Sequence, residues 1–196
     1  MITIDEITII RDGREIIYDY SEQIPAGSIT AIVGPNGSGK STLLAAIAGD
    51  IAPNKGTITI DDHHPILTSP RELAHIRAMV AQNQVFPLGF TVRQVIEFAG
   101  AAEEVMNLLA IKHLADRYVT TLSGGELQRV AIAQAIAQET PVLLLDEPLA
   151  AQDVQSRRTI IAVLQQLAEA GKTIVVVAHS ADTELTWADK VIKQFL

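Results

Sequence analysis

The chain has no cysteine, so disulfides, thiolate zinc sites and cysteine nucleophiles are all excluded. No window approaches the ~18 uninterrupted apolar residues that a membrane-spanning helix needs. Any membrane contact is therefore expected to come through a partner chain. Positive charge is scarce as well. Lys and Arg number 15 against 23 Asp and Glu, a formal net charge of −8. That balance argues against an unaided nucleic-acid or anionic-membrane surface. Met1 to Glu6 has no basic stretch and carries acids at Asp5 and Glu6, unlike a secretory leader, so a cytoplasmic location is expected. Internal repeats and low-complexity tracts are missing too. What is present is a chain of 196 residues, 48% hydrophobic and 19% charged, which reads as one globular core with at most a small added lobe.

The strongest local signal is Gly34-Pro35-Asn36-Gly37-Ser38-Gly39-Lys40-Ser41-Thr42. It follows the apolar run Ile29 to Val33, which reads as a buried strand, and precedes Leu43 to Ala48, which is rich in helix formers. Strand, glycine loop and helix in that order make a phosphate-binding P-loop. Gly34, Gly37 and Gly39 let backbone N–H groups come close to phosphate oxygens. The helix start near Lys40 adds the positive end of its dipole. Lys40 supplies a mobile ammonium for the β- and γ-phosphates, and the Ser41 hydroxyl is placed for Mg²⁺. A glycine-rich turn without a ligand is the plainer alternative, but both loop and context match a nucleoside triphosphate site.

Around that loop the spacing predicts an α/β fold. Residues 2–10 partly alternate, Asp12-Gly13 signals a turn, and Glu15 to Tyr20 is the expected hairpin partner. Thr57 to Ile60 is expected as a strand at a sheet edge, and Ile76 to Val80 as another, ending at Gln82. From Thr91 to Arg117 the pattern turns helical, with apolar positions at Val92, Val95, Ile96 and Ala99. Residues 84–135 are expected to form a small helical lobe inserted in a single domain of residues 1–196. The remainder alternates strands (Val142–Leu145, Thr173–Ala178) with helices (Asp153–Ala170, Ala181–Trp187), which implies a parallel sheet covered by helices.

Val142 to Leu145 is an apolar strand ending in Asp146-Glu147. In isolation this is an ordinary acidic turn after a core strand. After a P-loop, both acids are expected at the carboxyl edge of the sheet, facing the phosphates. Asp146 suits a position holding water on Mg²⁺, and Glu147 one polarising an attacking water. Leu122-Ser123-Gly124-Gly125-Glu126 opens a predicted helix with the pattern of a capping box. Two glycines in a first turn weaken a helix. They fit a phosphate approaching the exposed N–H groups of Ser123 to Glu126. His179 ends the strand Val175 to Ala178, again at a carboxyl edge.

Taken together, the P-loop, a Gln after a strand, Leu-Ser-Gly-Gly-Glu, a strand ending Asp-Glu and a final His occur in one order. That arrangement resembles an ATP-binding cassette (ABC) ATPase over nearly the whole chain. The resemblance implies a P-loop NTPase core with an N-terminal antiparallel β part and an inserted helical subdomain. It implies ATP and Mg²⁺, with Lys40, Ser41 and Thr42 in Walker A and Gln82 in the Q-loop, beside Ser41 and Asp146 at the metal. It further implies Asp146 as Walker B, Glu147 as catalytic base, His179 as switch histidine, and Ser123 to Glu126 as the signature. The family works as head-to-tail dimers in which each ATP lies between one subunit's Walker A and the other's signature.

Two departures stand out. The aromatic residue that stacks on adenine in the family falls on or near Arg11 here, with Tyr18 as a substitute if the hairpin register differs. The segment Ala150-Ala151-Gln152-Asp153 keeps the expected aspartate but lacks the serine hydroxyl before it. The implied function is an ATPase subunit energising import through a separate integral membrane permease, with metal or metal-chelate cargo suggested by the Phe86 to Val92 region. The alternatives are a regulatory ATPase that moves no solute, and a nucleotide-binding module with weak hydrolysis. No nucleic-acid partner is expected, and His63-His64 reads as a solvated loop, not a metal site.

Overall fold

The structure is a computed structural model that describes the chain apart from residues 83, 180–184 and 194–196, and the side chain of His179. Five strands form a parallel sheet in the order β5-β6-β7-β3-β8. They are β3 (Ile29–Gly34), β5 (Arg77–Val80), β6 (Val142–Asp146), β7 (Thr173–His179) and β8 (Lys190–Ile192). β3 and β6 are buried along their whole length, as strands covered on both faces must be. A second, antiparallel sheet has the order β2-β1-β4, from β1 (Ile2–Arg11), β2 (Arg14–Ile24) and β4 (Lys55–Ile60). The expected hairpin and the edge position of residues 57–60 are both present.

Strand alternation divides the apolar residues between two cores. Val142 and Leu144 of β6 face a cluster with Leu43, Ile47 and the isoleucines of β1. Leu143 and Leu145 face the opposite cluster, built on helices. α1 (Lys40–Ala48) lies in the first. α3 (Val92–Glu97), α4 (Ala102–Leu108), α5 (Gly124–Ala137) and α6 (Val154–Glu169) contribute to the second. α3 and α4 pack on α5, and α5 also packs on β5 and β6. The buried side chains of residues 92–137 therefore run without a break into the apolar face of the sheet.

Two elements differ from the sequence expectation. α2 (Pro70–Ile76) has no visible helical stripe because it buries only Leu73. A complete capping box between Ser69 and Glu72, with proline in the first turn, supplies its start. Ile76 consequently belongs to α2, and the strand opens at Arg77. The expected helix over 181–187 falls partly outside the described residues. Leu185 to Trp187 form a turn, and three residues of β8 then pair with β3.

Within the antiparallel sheet, β1 and β4 make one close backbone contact with a testable cost. β1 bulges between Asp5 and Thr8, with Glu6 at φ +48°, and β4 pairs with it across the bulge. Gly56 at φ +75° fills the gap. A Cβ there would overlap the carbonyl oxygens of Asp5 and Glu6. Gly56→Ala is expected to cost ~2 kcal/mol or more, lowering the melting temperature by at least ~4 °C. Thermal denaturation checks this, and an unchanged midpoint overturns it.

Candidate functional site

Three parallel strands, β3, β5 and β6, deliver side chains to one edge. β3 runs into the phosphate loop and α1. Gly37 and Gly39 have φ +78° and +99°, so the loop uses backbone conformations that other residues rarely adopt. Gly39 occupies the N-cap of α1 with no side-chain cap. The first N–H groups of that helix are therefore left for a ligand.

Lys40 is only 4% exposed, and its Nζ donates to the carbonyls of Gly34 (2.9 Å) and Pro35 (2.8 Å). An ammonium has three donors, so the loop itself engages two and holds the charge at its centre. The Ser38 hydroxyl is buried in the loop without a hydrogen-bond partner. A buried donor of that kind is costly unless a ligand oxygen meets it. Beside the loop lies a cavity of about 390 Å³, within the range of small-molecule sites. Its walls are Ile16, the loop from Asn36 to Thr42, Gln82 and Glu147.

Ser41 Oγ donates to Asp146 Oδ1 at 3.1 Å, tying α1 to the end of β6. Burial pushes the Asp146 carboxyl above the ordinary aspartate range. The Ser41 hydrogen bond pulls it down, the Glu147 charge pushes it up, and the Lys40 charge pulls it down again. Ser41, Asp146 and the Gln82 amide oxygen are hard oxygen donors of the kind Mg²⁺ takes. Among the described residues no three His, Asp or Glu side chains cluster as a protein-only metal cage. The donor set thus fits a small cation shared with phosphate oxygens.

Glu147 sits at φ +51°, unusual for a residue with a side chain. Its N–H donates to Val177 at 3.0 Å, and its carbonyl accepts from Ala150 at 3.1 Å, so a tight turn fixes it. Gln82 Nε2 donates to Glu147 Oε2 at 3.0 Å. This bond joins the ends of neighbouring strands β5 and β6 at the cavity wall. The backbone of His179 lies in register with Gly34. Its side chain is outside the described residues.

Ser123 to Glu126 are elsewhere. Ser123 caps α5, accepting from the Glu126 N–H and donating to Glu126 Oε2 at 2.8 Å. The Ser123 N–H, which donates to Glu126 Oε2 at 2.7 Å, then the Ser123 hydroxyl and the adjacent Arg117 hold the Glu126 carboxyl below its usual range. None of the four lines the cavity. The two glycines also part company. Space beside Gly124 is open, whereas a Cβ on Gly125 would lie 2.8 Å from the Ala151 carbonyl oxygen. Gln152 Nε2 donates to the Gly125 carbonyl at 3.0 Å. Gly125 is thus required by its own chain, and only Gly124 is left to admit an outside ligand. Asp153 caps α6, accepting from the Ser156 N–H at 2.8 Å.

Arg11 ends β1 opposite Arg14, across the Asp12-Gly13 turn, and does not line the cavity. Tyr18 is 69% exposed and does not line it either. Ile16 does. It gave no signal in the sequence beyond its place on the hairpin. Gln152 was equally silent, because its partner lies 27 residues away.

The family model described as ABC transporter matches residues 17–150. A hemin import ATP-binding protein, HmuV of Rhodococcus jostii, is 38% identical over 96% of this chain and 69% of its own length. A cobalamin import ATP-binding protein, BtuD of Halobacterium salinarum, is 37% identical over 92% of this chain and 49% of its own length. Among solved structures, the dimeric post-hydrolysis state of the ATP-binding cassette MJ0796 bound to ADP and Pi superposes with a TM-score of 0.87. It is 27% identical and covers 98% of this chain and 94% of that one.

Proposed function

The chain belongs to the ABC transporter family, and from that membership we propose that it hydrolyses ATP to drive import through a separate membrane permease. The cargo we assign is a metal chelate, which the hemin and cobalamin import relatives support. The observation that carries the hydrolytic part is the Gln82–Glu147 hydrogen bond on the wall of the phosphate-loop cavity.

In this reading the γ-phosphate lies against the loop, and a water sits between it and Glu147. Gln82 holds one carboxylate oxygen of Glu147, leaving the other to accept a proton from the water as it attacks in line. Lys40 transfers its donors from the Gly34 and Pro35 carbonyls to phosphate oxygens. The first N–H groups of α1 and the Ser38 hydroxyl add further donors. Mg²⁺ bound beside Ser41 and Asp146 supplies charge neutralisation for the phosphates. Ser123 and Gly124 of a second, head-to-tail copy close the far side of the nucleotide.

No helix among the described residues is long and apolar enough to cross a membrane, so the permease would hold this subunit at the inner membrane face. A surface suited to that contact follows Gln82. Val85 is 91% exposed and Leu88 81%. Nearby Phe98 is 71% exposed and packs edge-on against Phe90 at 5.3 Å between centroids. Solvent-facing apolar side chains gathered in this way mark an interaction site. Val85→Asp/Leu88→Asp is expected to leave hydrolysis by the chain alone intact. The same variant should lose co-purification with a membrane permease that the wild-type chain retains. Retained co-purification overturns this docking surface. A wild-type chain with no membrane partner overturns the transport reading in favour of a regulatory ATPase.

A further inference from the structure

The first turn of α5 carries a carboxylate that the proposed hydrolysis does not use, and both of its oxygens are engaged. Glu126 Oε2 accepts from the Ser123 N–H at 2.7 Å and the Ser123 hydroxyl at 2.8 Å. Glu126 Oε1 accepts from Arg117 Nη1 at 3.1 Å. Arg117 is the one cation paired with Glu126 among the described residues. Its other terminal nitrogen, Nη2, donates to the Thr121 carbonyl at 2.5 Å. One fork therefore holds both the segment before α5 and the first turn of that helix. The backbone beneath the fork is fixed as well. The Arg117 N–H donates to the Leu114 carbonyl at 2.9 Å, and the Arg117 carbonyl accepts from the Val92 N–H at 3.0 Å.

In the head-to-tail reading, the phosphates held by a second copy approach Ser123 and Gly124 at this helix start. A phosphate oxygen accepting from the Ser123 hydroxyl would stand two hydrogen bonds, roughly 5 Å, from the Glu126 carboxylate. At that range two negative charges repel strongly wherever water is excluded. Glu126 also partly cancels the positive end of the helix on which an anion depends. A capping box accepts glutamine as well as glutamate at this position, so the cap by itself does not require the charge. An unpaired Glu126 would cap its own helix and repel the ligand that the helix start is there to meet. The Arg117 guanidinium removes that conflict, being always charged and shaped for a carboxylate.

We propose that Arg117 is a positioning residue for the composite site: it fixes and neutralises Glu126, so that the start of α5 can receive the triphosphate held by a second copy. The proposal rests on the head-to-tail reading of that site. Within its own chain Arg117 does not line the phosphate-loop cavity, and its side chain is partly exposed. Its effect therefore falls on turnover, which needs the second copy, and not on the binding of nucleotide to one chain.

The test is steady-state ATP hydrolysis by the chain at saturating ATP, with ATP affinity measured separately in EDTA. Arg117→Gln keeps a donor for the Thr121 carbonyl but loses the charge. It is expected to lower turnover about tenfold and to leave ATP affinity unchanged. Arg117→Lys keeps the charge and should retain most of the turnover. Arg117→Gln/Glu126→Gln removes the carboxylate charge along with its partner, and should recover most of what the single variant loses. A fork that only braced Thr121 would show no such recovery. Wild-type turnover in Arg117→Gln, or a double variant as slow as the single one, overturns the proposal. So does a loss of ATP affinity that matches the loss of turnover. Ser123→Arg is the reference for the reading beneath. If it too turns over at the full rate, the composite site falls; if it is inactive, a failed result strikes only the role of Arg117.

Discussion

Glu147→Gln is expected to lower ATP turnover ~10²–10⁴-fold while leaving ATP binding within a few-fold of the wild type. The substitution keeps the size of the side chain and one carbonyl oxygen to accept the 3.0 Å hydrogen bond from Gln82. It also keeps the backbone turn through Val177 and Ala150. What it removes is a carboxylate able to take a proton from water, a contribution of about 3–5 kcal/mol to the barrier. Binding depends on the phosphate loop, whose donors do not involve Glu147. Single-turnover hydrolysis with a parallel nucleotide-binding titration separates the two quantities. Wild-type turnover in the variant removes Glu147 from the role of base, and a matching loss of binding assigns it to holding nucleotide instead.

Ser123→Arg should lower turnover by ~10²-fold or more, because it places a bulky cation where the second copy's phosphates would approach. The geometry makes this prediction distinctive. Ser123 does not line the cavity of its own chain, so within one copy the substitution is remote from the chemistry. An effect therefore requires a composite site, in line with the dimeric arrangement of the related cassette. Losing donors aimed at a developing phosphoryl charge typically costs ~10²–10³-fold. Ser123 also caps α5, so Ser123→Ala is the control. It loses about 1 kcal/mol of helix stability and should retain far more activity than the arginine variant. Hydrolysis by the wild type should rise faster than linearly with protein concentration. A linear dependence, together with full activity of Ser123→Arg, means that each chain works alone, and the composite site is then abandoned.

The chemistry of the site was legible wherever it depends on neighbours in the chain. Gly37, Gly39 and Lys40 announce a phosphate loop because the geometry they permit is local. The capping box of Ser123 and Glu126 was readable for the same reason, its two partners being one helical turn apart. The glycine argument shows where such reading stops. Gly124 and Gly125 look equivalent as letters, yet Gly125 is dictated by the carbonyl of Ala151, which no local pattern reveals. The adenine end shows the same limit. Counting along the chain leads to Arg11, but the strand alternation and bulges of the hairpin bring Ile16 to the cavity wall.

By itself the sequence determined the presence of a nucleotide loop, the alternation of strands and helices, and the residue types available for hydrolysis. These follow from backbone propensities and periodicities that act over a few residues. Only the tertiary structure decided which of those residues meet. The parallel order β5-β6-β7-β3-β8 sets Gln82 beside Glu147 and Ser41 beside Asp146, across 65 and 105 residues of chain. Partnerships at that separation depend on strand order and register, which the burial of a whole sheet between two apolar cores selects.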